Sequence, residues 1–346
     1  MAEIDSPVRL NLDSAALVAN WRFLQSQGSA ACGAAVKANG YGLGAREVVR
    51  LLRDAGCCDF FVAHWAEAAA IADLVPSGQI AVLNGIARGD IKNCHAIGAI
   101  PVLNTPHQIA LWKAAGGGTC HVMLDTGINR LGIGPEQVSA ELLDGLDVDI
   151  LMSHLASADQ DSLQNDRQLA LFEQLSSVLP ARRRSFANSA GIMLGTDFHF
   201  DVTRPGIGLY GGIERTEMFG AISPVCSAAC RVLQVRYLDV GDPVGYGATY
   251  ICEAPTVLAT VALGYADGYL RSFATRGKVY AGEMQLPVIG RVSMDLITVD
   301  ATAYPALAEG DWVTLPFDLP ELAVQSGLSQ YELLTSLGKR HERSWR

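Results

Sequence analysis

Several features that would place a chain outside the ordinary globular enzymes are missing from this sequence. No uninterrupted apolar run reaches about 18 residues, so no membrane-spanning helix is expected. Basic tracts are also absent. With 26 Lys and Arg against 36 Asp and Glu, the formal net charge is -10. An acidic chain of this kind does not favour nucleic acid or an anionic membrane surface. An anionic ligand would have to meet a local site built from a few arginines and backbone amides. The eight cysteines include no CxxC pair and no zinc-ribbon spacing, so no metal site is expected. They read as reduced thiols, many of them small core residues. The N-terminal segment lacks a basic stretch followed by an apolar one, so no signal peptide is expected, and a soluble cytoplasmic protein is the expectation. There is no low-complexity segment.

What is present is globular: 346 residues, 49% hydrophobic and only 18% charged, enough for one large domain and a smaller one. The first two-thirds repeat a short apolar run, a turn and an amphipathic stretch. Candidate strands are residues 31–36, 60–63, 79–83, 100–103, 121–124, 150–154, 185–187 and 202–207. Their brevity and apolarity suit strands buried on both faces. Helical periodicity lies between them at 45–55, stopped by Gly56, at 65–74, ended by Pro76, and at 165–179. Eight strands alternating with helices predict a (β/α)8, TIM-like barrel, with a doubly wound open sheet as the rival. After about Gly220, β-rich runs take over at 229–238, 256–263, 278–281, 286–289, 291–299 and 312–315. The expected division is a barrel over residues 9–222 and a mostly β domain over 223–346. Residues 1–8 could pack with the latter, and 8–12 could supply a strand to either.

Barrel chemistry sits at the C-terminal ends of the strands. Polar and glycine-rich segments gather there: Lys37-Ala38-Asn39-Gly40-Tyr41 after the first strand and Asp125 to Arg130 after the fifth. His154 ends the sixth, Asn188-Ser189-Ala190-Gly191 follows the seventh, and Arg204-Pro205-Gly206-Ile207-Gly208 lies at the eighth. Taken alone, Lys37 reads as a lysine whose stem packs while its amine reaches solvent. At a barrel mouth, however, desolvation disfavours the ammonium and leaves a nucleophilic amine, as Schiff-base chemistry requires. The two glycine-containing segments on strands seven and eight read either as ordinary turns or as backbone N–H groups that bind a phosphate, with Ser189 adding a hydroxyl.

These residues resemble the alanine racemase family. Val36-Lys37-Ala38-Asn39-Gly40-Tyr41-Gly42 is similar to its cofactor-lysine motif, and Asp125 to Gly132 to its DTGMxRLG segment. Ser153-His154-Leu155-Ala156, Ala187-Asn188-Ser189-Ala190 and Arg204 to Gly211 follow in family order. So do Tyr246-Gly247-Ala248-Thr249-Tyr250, Gly264-Tyr265-Ala266-Asp267-Gly268 and Gly290-Arg291-Val292-Ser293-Met294-Asp295. The resemblance implies a fold-type-III enzyme that uses pyridoxal 5'-phosphate, acts on a small amino acid and forms a homodimer with shared active sites. It implies Lys37 and Tyr265 as acid/bases on opposite faces of the substrate Cα. Tyr41, Asn188, Ser189, Gly206 and Ile207 would bind the phosphate side. Arg204 would face the pyridine nitrogen, with His154 beside the ring and hydrogen-bonded to Arg204. Arg130, Met294 and Asp295 would bind substrate, the last two and Tyr265 coming from the other subunit.

Two positions depart from the family pattern. Met123 stands where the family often has a lysine, frequently carbamylated, that supports the DTG-segment arginine. A methionine carries neither charge nor carbamate, so an anion such as chloride or another carboxylate is expected beside Arg130. Leu43 replaces the histidine of the family's YGHG. The alternatives to an alanine racemase are a serine or broad-specificity racemase, a non-enzymatic pyridoxal-phosphate-binding protein, and a fold-type-III decarboxylase. The last should carry an acidic pyridine partner where Arg204 stands.

Overall fold

Short apolar strands do assemble in parallel in the first part of the chain. A computed structural model describes residues 5–139 and 141–346, and the chain divides into two compact units. One unit comprises residues 17–223. Seven of its strands form a continuous parallel sheet: Ala34–Ala35, Phe60–Val62, Ile80–Val82, Ile100–Leu103, Thr119–Met123, Asp147–Met152 and Arg183–Ser185. Most of their residues are buried, as a sheet covered on both faces requires. An eighth strand, Val202–Thr203, pairs in parallel with Ala31–Cys32. Asp201 and Arg204 donate N–H bonds back to Arg184 and Ala187, at 3.0 and 2.8 Å. On the other side Gly33 and Ala35 donate to Thr203 and Pro205, both at 2.9 Å. The eighth strand is therefore bonded on both edges and the barrel closes, which excludes the open doubly wound sheet.

The helices between strands form for local reasons. Ala45–Ala55 buries Val48, Val49 and Leu52 along one stripe and stops at Gly56, whose φ of 111° lets its N–H bond the last carbonyls. Pro106–Ala114 starts with proline in its first turn under a Thr105 cap, and Leu163–Ser177 starts under Ser162. At the N-terminal ends of the strands, Arg183 donates two bonds each to Asp59 and Asp149, joining the second, sixth and seventh strands. The expected strand 202–207 ends at Thr203, because Pro205 and Gly206 redirect the chain into the one-turn helix Ile207–Tyr210.

The other unit comprises the N-terminal residues to Ala16 together with 224–346. Its central strand, Cys226–Leu238, alternates buried and half-buried residues over its first half. Val8–Leu12 pairs antiparallel with that strand and parallel with Glu342–Trp345. Residues 8–12 are open to either domain in the sequence; Val8–Leu12 joins the β-rich unit, with Val8, Leu10 and Leu12 buried in that sheet. Trp312–Pro316 and Thr256–Val261 pair with successive halves of the central strand, and Ile297–Asp300 extends the sheet beyond Thr256–Val261. The run 291–299 was expected as one strand, but its first part is a loop. Gly290 has φ 72°, and the Ser293 N–H donates to the Leu296 carbonyl at 2.9 Å, closing a turn.

All eight cysteines are free thiols, seven buried and Cys58 exposed. Among the described residues, no helix is long and apolar enough to cross a membrane, and no cluster of three side chains could hold a metal ion.

Candidate active site

Lys37 lies two residues beyond the strand Ala34–Ala35, and the intervening Val36 N–H still bonds Phe61 of the next strand at 2.9 Å. The chain then makes one turn of left-handed helix. Ala38, Asn39 and Gly40 have φ/ψ of 52/43°, 56/49° and 62/47°, and Tyr41 has φ 52°. Gly40 and Gly42 donate to Val36 and Ala38, both at 2.9 Å, closing the turn. Three L-residues in this region cost about 1–2 kcal/mol each, so the surroundings must hold them there. Asn39 helps by accepting the Ala45 N–H at 3.0 Å, and Gly40 is needed because a Cβ would crowd Ala45 N at 3.1 Å. Burial pushes the Lys37 ammonium pKa down, Arg130 and Arg204 push the same way, and Glu67 opposes them.

The turn delivers Tyr41 into a cradle made by the seventh and eighth strands. The Tyr41 ring stacks on Tyr210 at 4.6 Å, and Tyr210 donates to the Ala35 carbonyl at 2.9 Å. A Cβ on Gly206 would lie 2.3 Å from the Tyr41 hydroxyl, so glycine is what lets that hydroxyl approach the loop. Ser189 Oγ accepts the N–H groups of Gly206 and Gly208 at 2.9 and 3.1 Å. Both of its lone pairs are then engaged, leaving the buried O–H as a donor for an acceptor not supplied by the described residues. Asn188 is turned to the backbone, accepting the Gly191 N–H at 2.8 Å. Burial raises the Tyr41 phenol well above its usual range, so it stays protonated. Two hydroxyl donors beside a glycine-lined turn suit an oxyanion such as a phosphate.

Arg204 lies 6% exposed at the barrel mouth with no carboxylate within ion-pair distance among the described residues. It donates to Ser185 Oγ and, at 2.5 Å, to the Ser153 carbonyl. Burial lowers its pKa to about 10, which leaves it cationic at neutral pH. His154 is pushed down to about 3 by burial first, then by Arg204, Arg130 and Lys37, and is neutral. The expected hydrogen bond between His154 and Arg204 is not formed among the described residues; the terminal guanidinium nitrogens donate to Ser185 and Ser153 instead. Arg130 is exposed, follows a turn in which Asp125 Oδ1 collects the N–H groups of Gly127, Ile128 and Asn129, and has no carboxylate within 4.0 Å among the described residues. Met123 is buried.

Two polar residues here escaped the sequence reading. Glu67 takes the Ala38 N–H at 2.7 Å and the Ala63 N–H at 2.8 Å, one on each carboxylate oxygen. Gln168 donates to Thr126 Oγ1 at 3.2 Å and the His154 carbonyl at 3.0 Å while accepting the Ala156 N–H at 2.9 Å. Each sits on a helix where a lone Glu or Gln gives no signal.

In the β-rich unit, Tyr265, Met294 and Asp295 come together. Tyr265 and Ala266 donate their N–H groups to the carbonyls of Ser293 and Met294 at 3.0 and 2.9 Å. Gly264 must be glycine because a Cβ would meet the Met294 carbonyl oxygen at 2.3 Å. The turn is capped by Asp267, 2% exposed, which accepts the Gly264 N–H at 2.9 Å. Arg340 grips Asp267 with two bonds of 2.6 and 3.0 Å and reaches Asp295 at 2.7 Å. Arg340 is a further residue the sequence reading missed, since its partners Asp267 and Asp295 lie far away in the chain.

Residues 12–214 match the family model for the alanine racemase N-terminal domain and residues 225–345 that for its C-terminal domain. A catabolic alanine racemase of Agrobacterium fabrum is 41% identical over 97% of this chain and 91% of its own length. An alanine racemase of Cereibacter sphaeroides is 41% identical over 97% of both chains. The crystal structure of alanine racemase from Bartonella henselae with covalently bound pyridoxal phosphate superposes with a TM-score of 0.93 at 35% identity. It covers 99% of this chain and 100% of that one. The biosynthetic alanine racemase of Pseudomonas aeruginosa gives a TM-score of 0.91 at 32% identity, over 99% and 100%. A closed barrel with a desolvated lysine and an oxyanion cradle at its rim, preceding a β-rich unit in a chain with these relatives, defines an amino-acid racemase, an isomerase. The chain belongs to the alanine racemase family.

Proposed function

We propose that this chain interconverts L- and D-alanine using pyridoxal 5'-phosphate held covalently by Lys37. The residues suit that group. Ser189 and Tyr41 would donate to its phosphate with the backbone of Gly206 and Ile207, and Asn188 would keep the adjoining turn in shape. Arg204 would face its ring nitrogen and neutral His154 its ring edge. When bound, the cofactor supplies a conjugated system that accepts negative charge from the substrate Cα.

The chain's own work is proton transfer and orientation. Racemisation requires a proton to leave one face of Cα and return on the other, hence two acid/base groups on opposite sides. Lys37 serves one face. Its ordinary pKa is too high for an efficient base at neutral pH, and burial together with Arg130 moves it in the useful direction. Tyr265 serves the other face, contributed with Met294 and Asp295 by the second subunit of a homodimer. Arg130 orients the substrate carboxylate. Arg204 can donate a hydrogen bond but never accept one, so it would leave the cofactor's ring nitrogen unprotonated, which would limit side reactions such as transamination.

The observation that carries this reading is Lys37, its amine desolvated at the same rim as the Tyr41–Ser189 cradle. Purified protein should show the visible absorption of lysine-bound cofactor and equilibrate either alanine enantiomer, followed by chiral chromatography. Lys37→Ala should lose both. Persistence of the band and the turnover in Lys37→Ala would sink the reading. A broader amino-acid substrate range is the second reading, favoured by the absence, among the described residues, of a carboxylate beside Arg130. Rates on serine, lysine and arginine beside alanine decide between them.

A further inference from the structure

The segment carrying Lys37 is strained, and something outside it must hold it. Within the left-handed turn the N–H groups of Gly40 and Gly42 are satisfied internally, but the Ala38 N–H points out of the turn. Glu67 meets it. A glutamate in the first turn of a helix ordinarily serves its own helix start. Glu67 does that with one oxygen, on Ala63 at the end of the second barrel strand, and spends the other on Ala38 in a separate segment. Its side chain is 18% exposed, so these charge-assisted bonds are partly shielded from water.

We propose that Glu67 is a positioning residue for Lys37, its carboxylate tying the left-handed turn that begins at Lys37 to the end of the neighbouring barrel strand. The inference rests on the reading that Lys37 is the cofactor-bearing residue, and deepens it. Two features argue beyond ordinary helix capping. The second oxygen is committed to the residue next to Lys37, and that turn holds three L-residues in a conformation each resists. The charges that act on the Lys37 amine are also unbalanced: Arg130 and Arg204 disfavour its ammonium, His154 is neutral, and Glu67 opposes the two arginines. His64 lies 3.9 Å from Glu67 on the exposed side.

The test uses the protein stripped of cofactor, with pyridoxal phosphate as the probe. In capture, the neutral Lys37 amine bonds to the probe's aldehyde carbon and water leaves. Borohydride then supplies hydride to the new carbon–nitrogen double bond, and mass spectrometry counts the labelled chains. Glu67→Gln removes the charge and one of the two acceptors while keeping the shape. Loss of one charge-assisted bond on the lysine turn should weaken probe affinity about tenfold or more. Capture needs the neutral amine, and Glu67 favours the ammonium, so the pH midpoint of capture should move lower in Glu67→Gln. Glu67→Asp keeps the charge but loses reach. It should hold the midpoint near that of the unsubstituted chain while binding remains weak.

An unchanged affinity and midpoint in Glu67→Gln would overturn the inference. So would a variant whose melting temperature without probe falls while capture per folded chain does not change, which would mark a purely structural role. If the Gln variant fails to fold, the Asp variant carries the affinity comparison, and unchanged affinity in Glu67→Asp would overturn the inference. Failure of the underlying reading looks different: the unsubstituted chain would not capture the probe, or capture would survive Lys37→Ala.

Discussion

The guanidinium of Arg271 stands 5.2 Å from the ring centre of Tyr265, and the backbone of the same tyrosine is pinned to Ser293. The phenol is thus held by its ring and its main chain, leaving the hydroxyl as the group that phenylalanine would remove. Tyr265→Phe should cost about 10²- to 10⁴-fold in alanine racemisation, the usual worth of one positioned acid/base, while the absorption of bound cofactor persists. Racemisation at the unsubstituted rate, measured by chiral chromatography, would remove Tyr265 from the chemistry. At this scale the sequence revealed residues that sit in compact motifs. Lys37, Ser189, Arg204 and Tyr265 each have a glycine close by in the chain that marks the motif in the sequence, even where, as at Gly206 and Gly264, the group that requires the glycine lies far away. Glu67, Gln168 and Arg340 were invisible because they act through bonds to segments far away in the chain. Glu67 reaches 29 residues back to Ala38, Gln168 42 residues back to Thr126, and Arg340 73 back to Asp267.

Strands and helices were legible wherever one period ruled. Ala45–Ala55 occupies the span its apolar stripe and closing glycine indicate, and Lys278–Ala281 the span its β-rich run indicates. The reading failed where a turn interrupts an apolar run without an obvious breaker, as in the loop at 291–296. The barrel floor also hides chemistry. His121, on the fifth strand, accepts the Ile150 N–H of the sixth through Nδ1 at 3.1 Å, which requires a neutral ring. Burial pushes it down to about 4 from 6.5, although the nearby Asp149 pulls the other way. Above pH 6.5 neither folded nor unfolded chain protonates this ring, and its contribution to stability is complete. As pH falls below 6.5 the unfolded chain takes up a proton that the folded one refuses. Stability should then fall by about 1.4 kcal/mol per pH unit, on the order of 3 kcal/mol by about pH 4. His154 acts in the same direction. His121→Asn keeps an acceptor for Ile150 but cannot titrate, so urea melts between about pH 7 and pH 4.5 should show a shallower slope of stability against pH. An unaltered slope would assign the acid sensitivity elsewhere.

At the scale of the whole molecule, the two proposed acid/base groups lie in different compact units: Lys37 in the barrel and Tyr265 in the β-rich unit. The sequence carried both motifs but not what would bring them together, because a contact between subunits leaves no local periodicity. A mixing experiment decides whether they meet within one chain or between two. Lys37→Ala and Tyr265→Phe chains should each be inactive alone. If each site draws its lysine from one subunit and its tyrosine from the other, a mixed dimer has one dead site carrying both substitutions and one site with neither. Random pairing makes about half of the dimers mixed, so about a quarter of all sites should be intact. Co-expression of the two chains with different tags, followed by sequential affinity capture, would isolate the mixed dimers, in which about half the sites should be active. Sites built within a single chain would each carry one substitution in every combination, and the captured dimers would stay inactive. Recovered activity should also fall on dilution toward the dissociation constant of the dimer, because a site shared between subunits cannot outlast their separation.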